Sequence, residues 1–161
     1  MTRNSRVAPG ALYAVGPLDA HAVERAFTLV RPATTHIDLH RWRAFCAGRD
    51  PAARDLRLLA ARDRAQTVRG LSGACKLVHL AHGPILSCPL FVVASPLDPV
   101  GVAEALARAL LLSARRQART GLLVTTRLVD PAVLAALAGH GAAVEGEALF
   151  LAVDGVALPP R

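Results

Sequence analysis

The stretch from Phe91 to Leu106 constrains the fold more than any other part of this chain. Phe91, Val92, Val93 and Ala94 read as the end of a buried strand. Asp98-Pro99 is a helix start, with aspartate as N-cap and proline at the first helical position. Val102, Ala103, Leu106, Ala109, Leu110 and Ser113 then recur at helical spacing and predict the buried stripe of a long amphipathic helix. A strand that turns directly into a helix leaves free backbone N–H groups at the junction, an arrangement that holds phosphate in many proteins. Asp98 stands at that junction, so the chain can fill the anion site with its own carboxylate.

The strand leading into this junction, Ile85 to Ala94, carries Pro89 in its interior. Proline has no N–H for the ladder, so the strand must be at an edge, bulged, or splayed from its neighbour there. Upstream, Leu56 to Ala61 and Thr67 to Ala81 read as two more strands, separated by short turns, which predicts an antiparallel meander. Gly70 and Gly73 inside the second imply a bend or a close backbone approach.

The remaining elements follow from caps and periodicity. Leu12 to Val15 predicts a first strand closed by Gly16-Pro17. Asp19 caps a helix whose buried face holds Val23, Ala26, Phe27 and Val30. A second helix spans Ile37 to Ala47, with Ile37, Trp42, Phe45 and Cys46 turned inward. Arg115, Arg116 and Arg119 collect at the end of the long helix, where they complement its dipole, and Gly121 is expected to stop it. Leu122 to Thr126 is a strand. Asp130-Pro131 starts a short helix to Ala138, and Ala142 to Val144 with Ala148 to Val153 close a hairpin around Glu145-Gly146-Glu147. Residues 1–10 and 156–161 read as flexible tails on one domain covering 11–155.

The chain has 161 residues and 53% apolar residues, enough for a proper core. No apolar run reaches the roughly 18 residues of a membrane span, and no secretory leader precedes the first strand. Cys46, Cys75 and Cys88 lack metal-ligand spacing and form an odd set, which fits buried thiols in a reduced, cytoplasmic protein. The net charge of +7 is almost all arginine, without the dense basic run that nucleic-acid binding asks for. His36 and His40 share a helix face, but only Asp38 is near and it falls off that face, so no metal is expected.

The order strand, two helices, three-strand meander, long helix, strand, short helix, hairpin resembles the GNAT superfamily of acyl-CoA-dependent N-acyltransferases. The resemblance runs from about Leu12 to Val153. It implies an α+β fold with a mixed, mostly antiparallel sheet, a bulged central strand at Pro89, and about four helices. It also implies acetyl-CoA or another acyl-CoA as cofactor and an amine as acceptor. The backbone of Val100, Gly101, Val102 and Ala103 would hold the pyrophosphate, and Phe91, Val92 and Val93 would line the pantetheine.

The family's phosphate loop reads roughly Arg/Gln-x-x-Gly-x-Gly/Ala. Gly101 and Ala103 match its second half, whereas Asp98 replaces the basic or amide residue and Pro99 the small one. At about 4 Å and an effective dielectric near 20, a carboxylate repels a phosphate charge by about 4 kcal/mol, or about a thousandfold in affinity. The family's tyrosine acid would fall on Leu137, and its Gly-Phe pair appears as Gly141-Ala142; Tyr13 is the only tyrosine.

Acyl transfer to an amine also needs a proton acceptor. His79 is the candidate. If the strands fold back across Gly83-Pro84, His79, His82, Ser87 and Cys88 would gather near the turn. The alternative for His79 is a solvated or capped histidine. Thr125 or Thr126, beside the expected bulge, could reach a ligand amide. Two functions follow: a divergent GNAT-like acyltransferase moving an acetyl or small acyl group to an amine, or an inactive GNAT-like domain serving as a ligand-binding or dimerisation module. A homodimer fits either.

Overall fold

The computed structural model describes residues 12–33, 36–49, 55–125, 131–145 and 148–153. Strand β1 (Ala14–Pro17) leads through a 3-10 turn at Ala20–Ala22 into α1 (Val23–Val30). A second 3-10 turn (Arg31–Ala33) precedes α2 (Leu39–Cys46). Then come β2 (Arg57–Arg62), β3 (Val68–His79), β4 (Gly83–Val93), α3 (Pro99–Arg116), β5 (Gly121–Thr125), α4 (Pro131–Gly139), β6 (Ala143–Glu145) and β7 (Ala148–Ala152).

The strands form one seven-stranded sheet in the order β1-β2-β3-β4-β5-β7-β6. Neighbours are antiparallel except β4 and β5. That single parallel pair follows from the connection, because α3 carries the chain back before β5 begins. The architecture is the α+β arrangement expected from the element order. The tails expected at 1–10 and 156–161, and the Glu145-Gly146-Glu147 turn in its centre, lie outside the described residues.

Two cores flank the sheet. Ala60 and Leu71 face α1 and α2, where they meet Ala26, Val30 and Trp42. Ala61 faces the other way and joins Leu106, Leu110, Leu122 and Leu137 under α3 and α4. Successive strand residues therefore serve opposite layers, as the pleat requires. Trp42, only 1% exposed, fastens α2 to α1 by donating its indole N–H to the Val23 carbonyl at 2.7 Å.

Three aspartates start three helical segments. Asp19 accepts the Ala22 N–H at 2.8 Å, Asp38 the Arg41 N–H at 2.7 Å, and Asp98 the Gly101 N–H at 2.8 Å. Asp38 is thus the cap of α2, and His36 precedes it outside the helix, so the helix face expected to carry both His36 and His40 does not form. Among the described residues no three His, Cys, Asp or Glu side chains gather to hold a metal. No helix among them is long and apolar enough to cross a membrane.

The structure corrects three local expectations. The buried stripe of α3 is Val102, Ala103, Leu106, Ala107, Leu110 and Ala114. Ala107 and Ala114 therefore take the places expected for Ala109 and Ser113. Ser113 instead turns its hydroxyl to the Gln117 amide at 2.9 Å. The helix ends at Arg116, well before Gly121. Ala118 adopts the left-handed region (φ 51°), and the Arg119 N–H reaches the Ala114 carbonyl at 2.9 Å to close the turn. Gly121 opens β5 instead, and β1 runs on through Gly16-Pro17 as an edge strand paired with Ala60 and Leu59.

Candidate cofactor site where the central strands part

The site begins at Pro89. Between the pairs Gly73↔Leu90 and Cys75↔Ser87, β3 has only Ala74 while β4 has both Cys88 and Pro89. The extra residue is a β-bulge, and the residue without an N–H sits in it, as the sequence implied. The bulge also resets the side-chain alternation. Leu86 and Cys88, then Phe91, reach the core beneath α3, whereas Leu90 packs toward α1 and α2.

On its other side β4 pairs with β5 only at Leu86↔Leu122, Ser87↔Leu123 and Cys88↔Val124. Beyond Cys88 the two strands share no ladder, although β4 continues to Val93 and β5 to Thr125. β4 runs on from there through Phe91, Val92 and Val93, which pair only with β3. Phe91 is buried, and the two valines are partly exposed. Thr125 marks the end of β5 and pairs with Ala148 on the far side; Thr126 lies outside the described residues.

The amino terminus of α3 follows at the same end of β4, because Val93 leads within a short loop to Asp98. Ser95, 8% exposed, accepts the Asp98 N–H at 3.3 Å. Asp98 Oδ1 takes the Gly101 N–H, and the Asp98 carbonyl takes that of Val102 at 3.4 Å. Pro99 has no N–H to offer. A helix start ordinarily leaves four backbone donors free. Here the Val100 N–H is the one donor of this turn that meets no partner among the described residues. Val102 and Ala103 are buried with their side chains in the core, so only their backbone could face a ligand.

The carboxylate is seated over the first turn of the helix. A Cβ built on Gly101 would come within 2.3 Å of Asp98 Oδ2, so glycine is what lets the carboxylate settle over the helix end. Tyr13, the residue before β1, packs partly buried against the core beneath α3. Burial raises the Tyr13 phenol above its ordinary value. The Ser95 hydroxyl and the Arg69 charge work against that rise, and Asp98 adds to it. Sequence reading left Tyr13 without a role because the groups that act on it, Ser95, Asp98 and Arg69, lie far from it along the chain, and no local pattern announces them.

The hairpin end lies elsewhere. His79 pairs with Gly83, and from there to Cys88 is roughly 17 Å of strand. His79 and His82 do come together, ring centroids 4.9 Å apart, and His82 stacks in turn on Phe150 at 3.7 Å. Ser87 and Cys88 do not join them. His79 Nδ1 accepts the Ala81 N–H at 3.3 Å.

The cysteines are thiols held in reserve from chemistry. Burial pushes Cys88, 0% exposed, up to about 12, and Cys46 likewise up to about 12. Burial also raises Cys75, helped by Asp55. Leu137, in the place of the family's tyrosine, is fully buried under α3. Two clefts of about 400 and 610 Å³ open elsewhere, one beside Lys76 and Gln117, the other between Val23 and Phe45. Neither reaches Phe91 to Val93 or the start of α3.

No family model matches this sequence, and no curated protein sequence does either. Solved structures do. The chain superposes on the spermidine N-acetyltransferase from Vibrio cholerae in complex with CoA and spermine, with a TM-score of 0.68 and 11% identity over 89% of this chain and 96% of that one. The fold is the GNAT fold. A GNAT family N-acetyltransferase from Escherichia coli in complex with CoA gives a TM-score of 0.60 at 16% identity, over 95% of this chain and 88% of that one. A GNAT family acetyltransferase from Brucella melitensis in complex with acetyl-CoA gives 0.57 at 13%, over 94% and 93%.

Proposed function

We propose that this chain is a divergent acyl-CoA N-acyltransferase that moves an acetyl or other small acyl group to an amine. The observation that carries the reading is that the β4–β5 ladder ends at Cys88↔Val124 while β4 runs on to Val93 and leads into the start of α3. A gap between parallel strands exposes unpaired backbone groups that an extended amide-bearing arm can satisfy. GNAT-fold neighbours have been crystallised with CoA or acetyl-CoA, and one of them with spermine as well.

In this reading the unladdered stretch Phe91 to Val93 lines the pantetheine arm, and the first turn of α3 receives the pyrophosphate. Val100 offers its N–H at once; Gly101 offers its own only after Asp98 turns away. Val102 and Ala103 contribute the helix dipole behind those donors. Attack by the amine on the acyl carbon requires it to be unprotonated. His79 sits at the hairpin end opposite Gly83, remote from Phe91 to Val93, so we assign the proton to solvent, with the amine arriving as its free base. No tyrosine stands where the family places an acid for the leaving thiolate, which predicts slow turnover.

One observation favours a second reading: Asp98 already occupies the helix end. A domain that keeps the fold while its own carboxylate seals the phosphate site would act as a binding or dimerisation module.

Thermal unfolding with and without millimolar acetyl-CoA separates the two, using wild type and Asp98→Asn. A ligand at a hundred times its Kd adds about 2.7 kcal/mol, a shift of several degrees. A shift in the wild type supports the acyltransferase. A shift confined to Asp98→Asn supports the sealed module, and no shift in either removes acyl-CoA from the reading.

A further inference from the structure

Strand β2 begins at Arg57, paired with Ala74, while β3 runs on past that point to His79. At this step lies the cleft of about 400 Å³ beside Lys76 and Gln117, walled by the carboxyl-terminal half of α3. Its size falls in the range of small-molecule sites, about 300–1,000 Å³. Leu59, Ala74, Leu86 and Leu110 give it an apolar lining. Its charged groups are Arg57 and Lys76, both exposed, and Asp55 on the chain leading into β2.

Arg57 and Lys76 share one face of the sheet. Ala74, opposite Arg57, and Leu86, opposite Lys76, both join the core beneath α3, and residues two apart on a strand point the same way. The two cations are therefore diagonal neighbours, about 7–8 Å apart at the backbone, and long side chains from both can reach one group between them. Among the described residues neither has a hydrogen bond or an ion pair; the ion pairs there use Arg43, Arg62 and Arg69. On the helix wall, Gln117 spends its side-chain N–H groups on the Ser113 carbonyl at 3.2 Å and the Ser113 hydroxyl at 2.9 Å. That leaves the Ser113 O–H as a donor and Gln117 Oε1 as an acceptor, on two residues that line the cleft.

We propose that this cleft is a second ligand site, which takes a small monocarboxylic acid with a short apolar chain. The carboxylate lies between Arg57 and Lys76, and the chain lies against Leu59, Leu86 and Leu110. Two cations and one carboxylate leave the lining with one positive charge in excess, so a single negative charge is matched and a second is opposed by Asp55. Arg115 and Arg116 stand in the last turn of α3 and offset the negative end of its dipole, which would otherwise disfavour an anion there. An inorganic anion leaves the apolar lining wet, and a neutral hydrocarbon leaves the cations unmatched. The cleft does not reach Phe91 to Val93 or the start of α3, and the proposal does not rest on the acyltransferase reading.

The test is calorimetric titration of 4-methylpentanoate, its uncharged amide and inorganic phosphate at constant ionic strength, with no acyl-CoA present. Wild type, Arg57→Gln, Lys76→Gln and the double variant are compared. In the wild type the acid should bind about tenfold more tightly than either the amide or phosphate. Each single change should weaken the acid about threefold and the double change about tenfold, the scale of solvent-exposed ion pairs, with the amide unaffected. Equal binding of acid and amide, tighter binding of phosphate, or an acid affinity that survives the double change overturns the site, as does no binding of the acid at all. If a variant fails to fold, the ranking of the three ligands in the wild type still decides.

Discussion

The Gly70 backbone lies directly beneath the Val102 side chain: a Cβ on Gly70 would stand 2.6 Å from Val102 Cγ1 and 3.0 Å from Leu106 Cδ1. The glycine is what brings α3 down onto β3. Both obstacles are branched side chains locked in a core with no room to turn, and the Val92 carbonyl at 3.2 Å closes the third side. Gly70→Ala should therefore destabilise the fold by about 1–3 kcal/mol, the usual range for overpacking. Combining it with Val102→Ala should restore part of that loss, because each change relieves the other. Urea unfolding of the two single variants and the double variant measures the coupling; simple additivity would refute the contact.

Asp98 has a stability role that can be separated from its effect on ligands. Asparagine still accepts the Gly101 N–H, whereas alanine does not. Asp98→Ala should lose about 1 kcal/mol of stability, and Asp98→Asn should stay close to the wild type. Chemical denaturation checks the order. If asparagine proves as damaging as alanine, the charge rather than the cap is what the helix start needs.

Much of the site was written locally. Pro89 announced a break in a ladder, and the structure places the bulge there. Asp98-Pro99 announced a helix start, and Gly70 a close approach. Each reading depends on the chemistry of one residue or on spacing along one element. What escaped was set by packing between elements distant in sequence. Gly121 looked like a helix stop but is needed because Phe150 and the Leu151 carbonyl crowd β5, with a built Cβ only 2.4 Å from the Phe150 ring. The seam of α3 includes Ala107 and Ala114 because small residues let the helix sit low on the sheet. Periodicity cannot see any of these.

The buried thiol gives a pH dependence with a definite sign. Unfolded Cys88 ionises near its ordinary 9.0, while the folded thiol holds its proton to about 12. The folded state thus binds more protons above pH 9.0, and stability falls as pH rises through that window. Below it the contribution is fully present. About one pH unit above the ordinary value, Cys88 alone should remove about 1.4 kcal/mol. Tyr13 is raised as well and bends the curve the same way, so the thiol is isolated by difference. Urea midpoints followed across this range should fall more steeply in the wild type than in Cys88→Ala; parallel curves would mean that the thiol is not protected.

Trp42 lies on the layer of the sheet away from α3, which makes it a control as well as a prediction. Its indole N–H meets the Val23 carbonyl at 2.7 Å, and its ring stacks on Phe45 with centroids 5.8 Å apart. Trp42→Phe keeps most of the apolar volume and loses the hydrogen bond, a change of about 1–2 kcal/mol. Trp42→Ala empties a large site and should lose about 3–5 kcal/mol. Phe91, Val93 and the first turn of α3 belong to the opposite core, and of β4 beyond Cys88 only Leu90 packs on the Trp42 side. Whatever thermal shift acetyl-CoA produces in the wild type should therefore persist in Trp42→Phe from a lower starting Tm. If the shift disappears with the indole, the α1–α2 layer contributes to the ligand site and the assignment of binding to the β4–β5 gap alone is wrong.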